Sequence, residues 1–518
     1  HAAPSKVSLG PTFPAYDNST EALHDVLALR ERVLREHHGL FLEQLDNLLL
    51  SLHVFGFHFA SLDLRQDSSI YCAALRELAQ LPRLASHLAS VATTGTAPSA
   101  PLHFVPLQLD ALPVLDESEL AQLSAETREQ LDTLRLIPEL QRSNGHAGLH
   151  RIVISHTRDA ADVLAVLVLA ALAGVAPATV YDVVPLFESI EDLQQASATL
   201  EQLYAWPSYR QRLQRASNSQ TVMVGFSDGT KDGGYLAANV AIRQAKREMT
   251  ALSRAQGLRV VFFDGRGGPP ARGGGNTHRF YRSRDTGIEQ WSTQLTIQGQ
   301  TIGSQFSGLE SARFHLEQLC TANLENLLDP TPRRDPPLEH QPLLDELSAD
   351  ALAAYRELRD SPAFLDYLDH RSALPLFDSL TIASRPARRK RTQKLELSQL
   401  RAIPFVASWS IDKLQLPGFY GLGTALNRAL AAGKGPQLRQ LHRDSRYFRT
   451  LLDNAAMSLL KSRLDLTSHL KEDPRHGPFW CRLREEITLT EKGILAVSGQ
   501  PRLLATDPVN RLSIAQRE

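Results

Sequence analysis

With 518 residues, 42% of them hydrophobic and 22% charged, the chain has the composition of a soluble globular protein of several domains or one large elaborated one. Its formal net charge of −1 supplies no global field to draw in nucleic acid or an anionic membrane. Three scattered cysteines, Cys72, Cys320 and Cys481, suit neither a zinc site nor a disulfide framework and point to a reducing, cytoplasmic compartment. The opening HAAPSKVSLG has neither a basic lead nor an apolar core, so it is not read as a signal peptide; a first residue of His1 reads as a fragment or a processed product.

In chain order, residues 1–50 read as a helical lead-in. Short β-branched runs then recur at Phe57–Leu64, Arg151–Ser155, Thr179–Phe187, Thr221–Phe226, Leu258–Phe263, Gln294–Gln298, Ser379–Ser384 and Ile403–Trp409. Val163–Ala173 is too short to cross a bilayer and reads as a buried helix. Tyr235–Leu252 reads as an amphipathic helix with Leu236, Val240, Ala241, Ala245 and Met249 inward and Arg243, Lys246 and Arg247 outward. Residues 82–101 and 328–338 read as loops or excursions, and residues 344–371 and 413–518 as mostly helical. Eight strands alternating with helices predict a (β/α)₈ TIM-like α/β barrel over residues 51–412, with extensive additional helices and a C-terminal helical region over 413–518, so that the whole is mostly α.

Charged residues follow the strands at Arg65, Glu188, Asp228, Arg266 and Arg385. In such a barrel the C-terminal mouth gathers side chains from distant parts of the chain into one site. Any single position reads more readily as chain emerging into water, a reading that five together weaken, and Glu188 and Asp228 also read as caps of the helices that follow them. The turn Gly265–Gly275 holds six glycines, which suits either a flexible turn or an anion-gripping lid built around Arg266 and Arg272. Arg385–Lys394 has six basic residues in ten, but without interleaved aromatics it is not read as a nucleic-acid patch.

Five collinear blocks carry a resemblance. VMVGFSDGTKDGGYLAA (Val222–Ala238) resembles the GYSDSxKDxGxLAA block of the phosphoenolpyruvate carboxylases, and FFDGRGGPPARGGGNTH (Phe262–His278) resembles their GRGGxxxRGGGPTH loop. FGFHFASLDLRQDS (Phe55–Ser68), PLFESIEDL (Pro185–Leu193) and the pair SRPARR with LRAIPFVASW (Ser384–Arg389 and Leu400–Trp409) resemble three more.

The resemblance implies a homotetrameric, cytoplasmic carboxy-lyase that joins phosphoenolpyruvate and bicarbonate into oxaloacetate with Mg²⁺ or Mn²⁺. It implies Glu188 and Asp228 as metal ligands, and two carboxylates that leave room for water and substrate oxygens suit such ions. Arg65, Arg266, Arg385 and Arg401 are implied to hold the substrate, since the guanidinium fork pairs well with phosphate and carboxylate. Lys231, Arg266 and Arg272 are implied to be catalytic, and Arg272, Lys461 and Arg502 to hold a dicarboxylate inhibitor, aspartate or malate.

Departures accompany it. Asp264 stands where the family commonly has histidine, and QLTIQGQ (Gln294–Gln300) replaces the usual RxTxQGE, reading as loss of a structural charge pair. No TAHPT-like histidine motif occurs, and the sequence stops after a block resembling the one before the family's C-terminal tail. The expectation is a portion of a longer chain that alone binds phosphoenolpyruvate weakly and turns it over little. A catalytically dead paralogue serving regulation or assembly, and another phosphoenolpyruvate or pyruvate barrel enzyme, are the competing readings.

Overall fold

The computed structural model describes residues 16–89, 91–93, 102–104, 108–329, 335–377, 395–397 and 400–517. They are helical for most of their length and fall into two units, residues 1–154 with 161–184 and residues 155–160 with 185–518.

The first unit begins with two helices in contact, Ser19–Glu36 and Leu42–Phe55, joined by a short turn. Asn18 caps the first, its side chain accepting the amides of Thr20 and Glu21, as a short polar residue before an apolar-periodic run should. Strand β1 (Leu62–Asp67) follows, later than the apolar run at 57–64 suggests, because Gly56 and Phe59 adopt positive φ and hold the chain in a turn. A short hairpin, β2 (Val91–Thr93) against β3 (Leu102–Phe104), and the helix Pro82–Ala85 occupy the segment expected to be loop. Strand β4 (Leu149–Ser155) lies where predicted, and strand β5 (Asp182–Phe187) starts in this unit and ends in the other. Sheet order here is β1-β4-β5. Between β4 and β5 the helix Ala160–Leu172 is buried almost throughout, with Val163, Ala165, Val166 and Leu169 fully inaccessible, as its apolar run from Val163 onward requires. No helix of the described residues is long and apolar enough to cross a membrane.

In the second unit the end of β5 is followed by β6 (Ser219–Gly225), β7 (Arg259–Gly265) and the two-residue β8 (Gln294–Leu295), all parallel and in chain order. Phe187 pairs with Val224 and Gly225 with Gly265, so the C-terminal ends of three consecutive strands stand level. Helices Ile190–Ala205 and Tyr235–Ala255 make the crossovers that parallel neighbours demand. The remaining described residues are mostly helical, around a core in which Tyr367, Trp409 and Phe479 stack at 4.6–6.3 Å between ring centroids.

Three expectations need correction. Six strands, not eight, form the parallel sheet of the described residues; Ser379–Ser384 lies outside them. Ile403–Trp409 is not a strand but part of the helix Ala402–Ile411. A seven-residue apolar run does not distinguish buried strand from buried helix, and Pro404 sits in the first turn, where its missing N–H removes no helical bond. Its Phe405 and Trp409 both pack on Phe364. Finally, Arg243 and Lys246 do not turn outward: they are 5% and 4% exposed, because Tyr235–Ala255 is covered on more than one face and each cation meets a buried carboxylate.

Candidate active site

The level ends of β5, β6 and β7 place three loops side by side in the second unit. Glu188 is the first residue beyond β5, its side chain 16% exposed. It does not cap the following helix. Ser189 does, accepting the amide of Asp192 while Asp192 accepts the amides of Glu188 and Ser189 in return. The Glu188 carboxylate thus does not serve as the helix cap. Gly225, at the end of β6, makes room for it: a Cβ there would stand 3.1 Å from the Glu188 Cγ.

Phe226–Gly233 winds one short helix directly from β6. Asp228 is half-buried in its first turn, and Lys231, three residues on, shares its face. The Lys231 ammonium donates to the carbonyl of Leu400 at 2.7 Å, beside Arg401, whose backbone caps the helix Ala402–Ile411. Tyr355 steadies the same turn from the other side, its hydroxyl donating to the Lys231 carbonyl at 3.0 Å.

The glycine-rich loop beyond β7 is folded tightly on itself. The amide of Gly267 donates to the carbonyl of Arg272, and a Cβ on Gly274 would collide with the Gly268 carbonyl at 1.8 Å, so only glycine fits there. Arg272, 2% exposed, donates from Nε to Ser227 Oγ at 3.2 Å and from its terminal nitrogen to Gln298 Oε1. Burial pulls its guanidinium down to about 10, while Asp228 opposes the shift. Arg266, 5% exposed, donates from Nε to the Gly273 carbonyl at 2.5 Å and lies 3.9 Å from the Phe280 ring centroid. It reaches the wall of a cavity that Gly275, Thr277, Thr296 and His315 also line.

Glu188, Asp228, Lys231, Arg266 and Arg272 are thus set on the ends of three neighbouring strands. Arg272 takes Ser227, Gln298 and Asp228 as partners, and neither Lys461, which ends the helix Arg446–Leu460, nor the exposed Arg502 is among them. Arg385 lies outside the described residues. Arg65 belongs to the first unit, on β1, where Asp63 holds it at 2.9 Å.

Sequence reasoning passed over four residues. His156 follows β4 with φ +55°, a backbone state rare for a side chain other than glycine, and its Nε2 stands 3.8 Å from Glu188 Oε2. Its signal was an imidazole just past a strand end. Ser227 and Gln298 lay inside quoted blocks but carry no charge to draw notice. Lys246 had been assigned to the solvent side.

Asp264 faces neither the cavity nor solvent. It is fully buried on β7, on the side of the strand that packs against Tyr235–Ala255, and its Oδ1 accepts Lys246. Its Oδ2 accepts the Tyr281 hydroxyl at 3.2 Å and Arg284 at 3.4 Å. Lys246 and the two arginines near it hold this carboxyl below its ordinary value against the cost of burial. Burial brings the Lys246 ammonium down to about 8.

Oxygen donors from two carboxylates suit a hard divalent cation, and Glu188 and Asp228 are the pair that neither a cap nor a buried lysine consumes. The one compact trio of potential ligands among the described residues is elsewhere: Glu339, His340 and Asp444, where a 3.0 Å bond between His340 and Asp444 already accounts for the imidazole.

Comparison with known proteins gives the arrangement a family. The model described as "Phosphoenolpyruvate carboxylase" matches residues 6–518. A phosphoenolpyruvate carboxylase of Xanthomonas campestris pv. campestris (strain 8004) is 34% identical over 514 residues, covering 97% of this chain and 55% of that protein. One from Nitrosomonas eutropha is 34% identical over 529 residues (98% and 55%), and one from Ralstonia nicotianae is 34% identical over 537 residues (98% and 54%). The chain spans about half the length of the curated relatives it matches. With the family model matched over nearly its whole length, this chain belongs to the phosphoenolpyruvate carboxylase family.

Proposed function

We propose that the chain carries the phosphoenolpyruvate-binding and carboxylating site of a phosphoenolpyruvate carboxylase, which makes oxaloacetate and phosphate from phosphoenolpyruvate and bicarbonate. The observation that carries this reading is the convergence of Glu188, Asp228, Lys231, Arg266 and Arg272 on consecutive strand ends within a family-wide match.

In the proposed reaction a bicarbonate oxygen attacks phosphorus and the bond to the enol oxygen breaks, giving carboxyphosphate and the enolate of pyruvate. Carboxyphosphate then releases CO₂ and phosphate, the bicarbonate proton leaving on the phosphate, and the enolate carbon bonds to CO₂. Glu188 and Asp228 would hold Mg²⁺ or Mn²⁺, and such an ion when bound offsets the charge of the phosphate and of the enolate oxygen. Arg266 and Arg272 supply the buried positive charge that a trianionic substrate needs, and their burial strengthens it. Lys231, anchored by the Leu400 carbonyl, brings an ammonium toward charge developing at the strand ends. The folded loop from Gly265 to Gly275 excludes water, which would otherwise protonate the enolate and release pyruvate.

The reading extends to Arg65, Arg385 and Arg401 as further substrate contacts, to Lys461 and Arg502 with Arg272 as an aspartate or malate subsite, and to a cytoplasmic homotetramer. Asp264, whose missing positive charge favoured a non-catalytic copy, is engaged by Lys246, Arg284 and Tyr281 and so does not argue for one.

The test is oxaloacetate formation from phosphoenolpyruvate and bicarbonate with Mg²⁺, coupled to malate dehydrogenase, in the full-length protein and in Glu188→Ala and Asp228→Ala. Carboxylation by the first and loss in both variants supports the reading. A folded full-length protein with no carboxylation refutes it.

A further inference from the structure

Three cations crowd around Asp264. Lys246, Arg266 and Arg284 are each 8% exposed or less at the side chain or residue level. Among the described residues Asp264 is the only carboxylate in ion-pair range of Lys246 and of Arg284, and Arg266 has no carboxylate in that range at all. Three buried like charges repel strongly unless an anion sits among them.

The geometry also links that anion to the site. Tyr281, fully buried, gives its hydroxyl to Asp264, and its ring lies between two guanidiniums, 4.2 Å from Arg284 and 5.1 Å from Arg266. Phe280, the neighbouring residue, is the ring on which Arg266 rests at 3.9 Å. Asp264 therefore fixes the short helix Thr277–Arg282 that carries both rings. The carbonyl of Asp264 contributes too, accepting the amides of Arg266 at 2.9 Å and of Thr296, another wall residue of the cavity, at 3.0 Å.

We infer that Asp264 is a positioning residue for Arg266: countered by Lys246 and acting through Tyr281, it holds the Arg266 guanidinium on the Phe280 ring at the wall of this cavity. The inference rests on the proposed activity only in naming phosphoenolpyruvate as what Arg266 meets. A histidine at 264 would offer no anion to the cluster, so residues 264 and 246 act as a coupled pair. Changing Asp264→His alone is expected to damage the site rather than restore it.

The experiment uses the full-length protein with Tyr281→Phe, Asp264→Asn and the double change Asp264→Asn with Lys246→Met. The double variant removes one cation together with the anion, so that a failure of Asp264→Asn to fold does not decide the matter. In crystal structures of the variants the Arg266 guanidinium is expected to leave the Phe280 ring. KM for phosphoenolpyruvate is expected to rise about tenfold in the double variant, with kcat falling less, and a few-fold in Tyr281→Phe at unchanged melting temperature. Arg266 still on the ring and a wild-type KM in both Tyr281→Phe and the double variant would overturn the inference. Should the unaltered protein not carboxylate, the proposed activity fails, while the position of Arg266 in the variants still decides this point.

Discussion

Glu188 and Asp264 are both acidic residues at the C-terminal ends of strands in one parallel sheet, and the fold treats them in opposite ways. Glu188 keeps 16% of its side chain exposed, and Ser189 with Asp192 takes over the helix cap it might have served. Asp264 is inaccessible and spends both oxygens on Lys246, Tyr281 and Arg284. A carboxylate that keeps access to water can serve as a ligand donor, whereas one that buried cations surround serves as a structural anion. Both are carboxylates near strand ends, but Glu188 lies one residue beyond β5 whereas Asp264 lies within β7, level with Phe187; register and surroundings together assign the role.

The widest separation between the two should appear in activity. Glu188→Ala is expected to lower carboxylation by about a thousandfold, the several kcal/mol that a bound divalent ion contributes, and to abolish Mn²⁺ binding followed by electron paramagnetic resonance. Its unfolding free energy should stay within about 0.5 kcal/mol of the parent. A variant that binds Mn²⁺ as the parent does would erase the distinction.

Lys246→Met attacks the other side. It strips Asp264 of its first counter-ion in a fully buried setting and is expected to cost about 3 kcal/mol in urea unfolding. A loss under about 1 kcal/mol would mean that Asp264 is not the anion the cluster depends on.

Asp412 sharpens the comparison, because it is a half-buried carboxyl that pairs with no cation among the described residues. It accepts the Ala373 amide, at 3.1 and 3.3 Å, and burial pushes it up from an ordinary 3.8 to about 6. Between those values the folded state binds more protons than the unfolded one, so this residue makes stability fall as pH rises from about 4 to about 6. Asp412→Asn should flatten that part of the stability profile, and an unchanged slope would count against burial as the cause. Asp264, held low, instead contributes stability that is lost only as pH drops below the ordinary carboxyl range.

The smallest effect belongs to the cap. Ser189→Ala is expected to cost about 1 kcal/mol, measured by thermal unfolding, with Mn²⁺ binding retained. If Glu188→Ala costs as much and Ser189→Ala nothing, Glu188 is the cap after all.

Much of this was legible along the chain. The β4, β6 and β7 segments lie within two residues of their apolar runs, since parallel strands buried on both faces demand continuous β-branched sequence between polar turns. The blocks around SDGTKD and GRGGPPARGGG marked Asp228, Lys231, Arg266 and Arg272, because an anion site needs glycines for close backbone approach and cations beside them. Helix Tyr235–Ala255 was legible in its extent but not in its facing.

By itself, then, the sequence pointed to the family, to the strand-end positions of Glu188, Asp228 and Arg266, and to the bounds of β4, β6 and β7 within two residues, all of which depend on local propensity and turn chemistry. Only the tertiary structure decided that Ile403–Trp409 coils into a helix around Phe364, that Lys246 points inward, and that Asp264 is matched by cations on two other segments. These are contacts between residues 18 to 45 positions apart, and no periodicity along a chain records which buried charge will meet which.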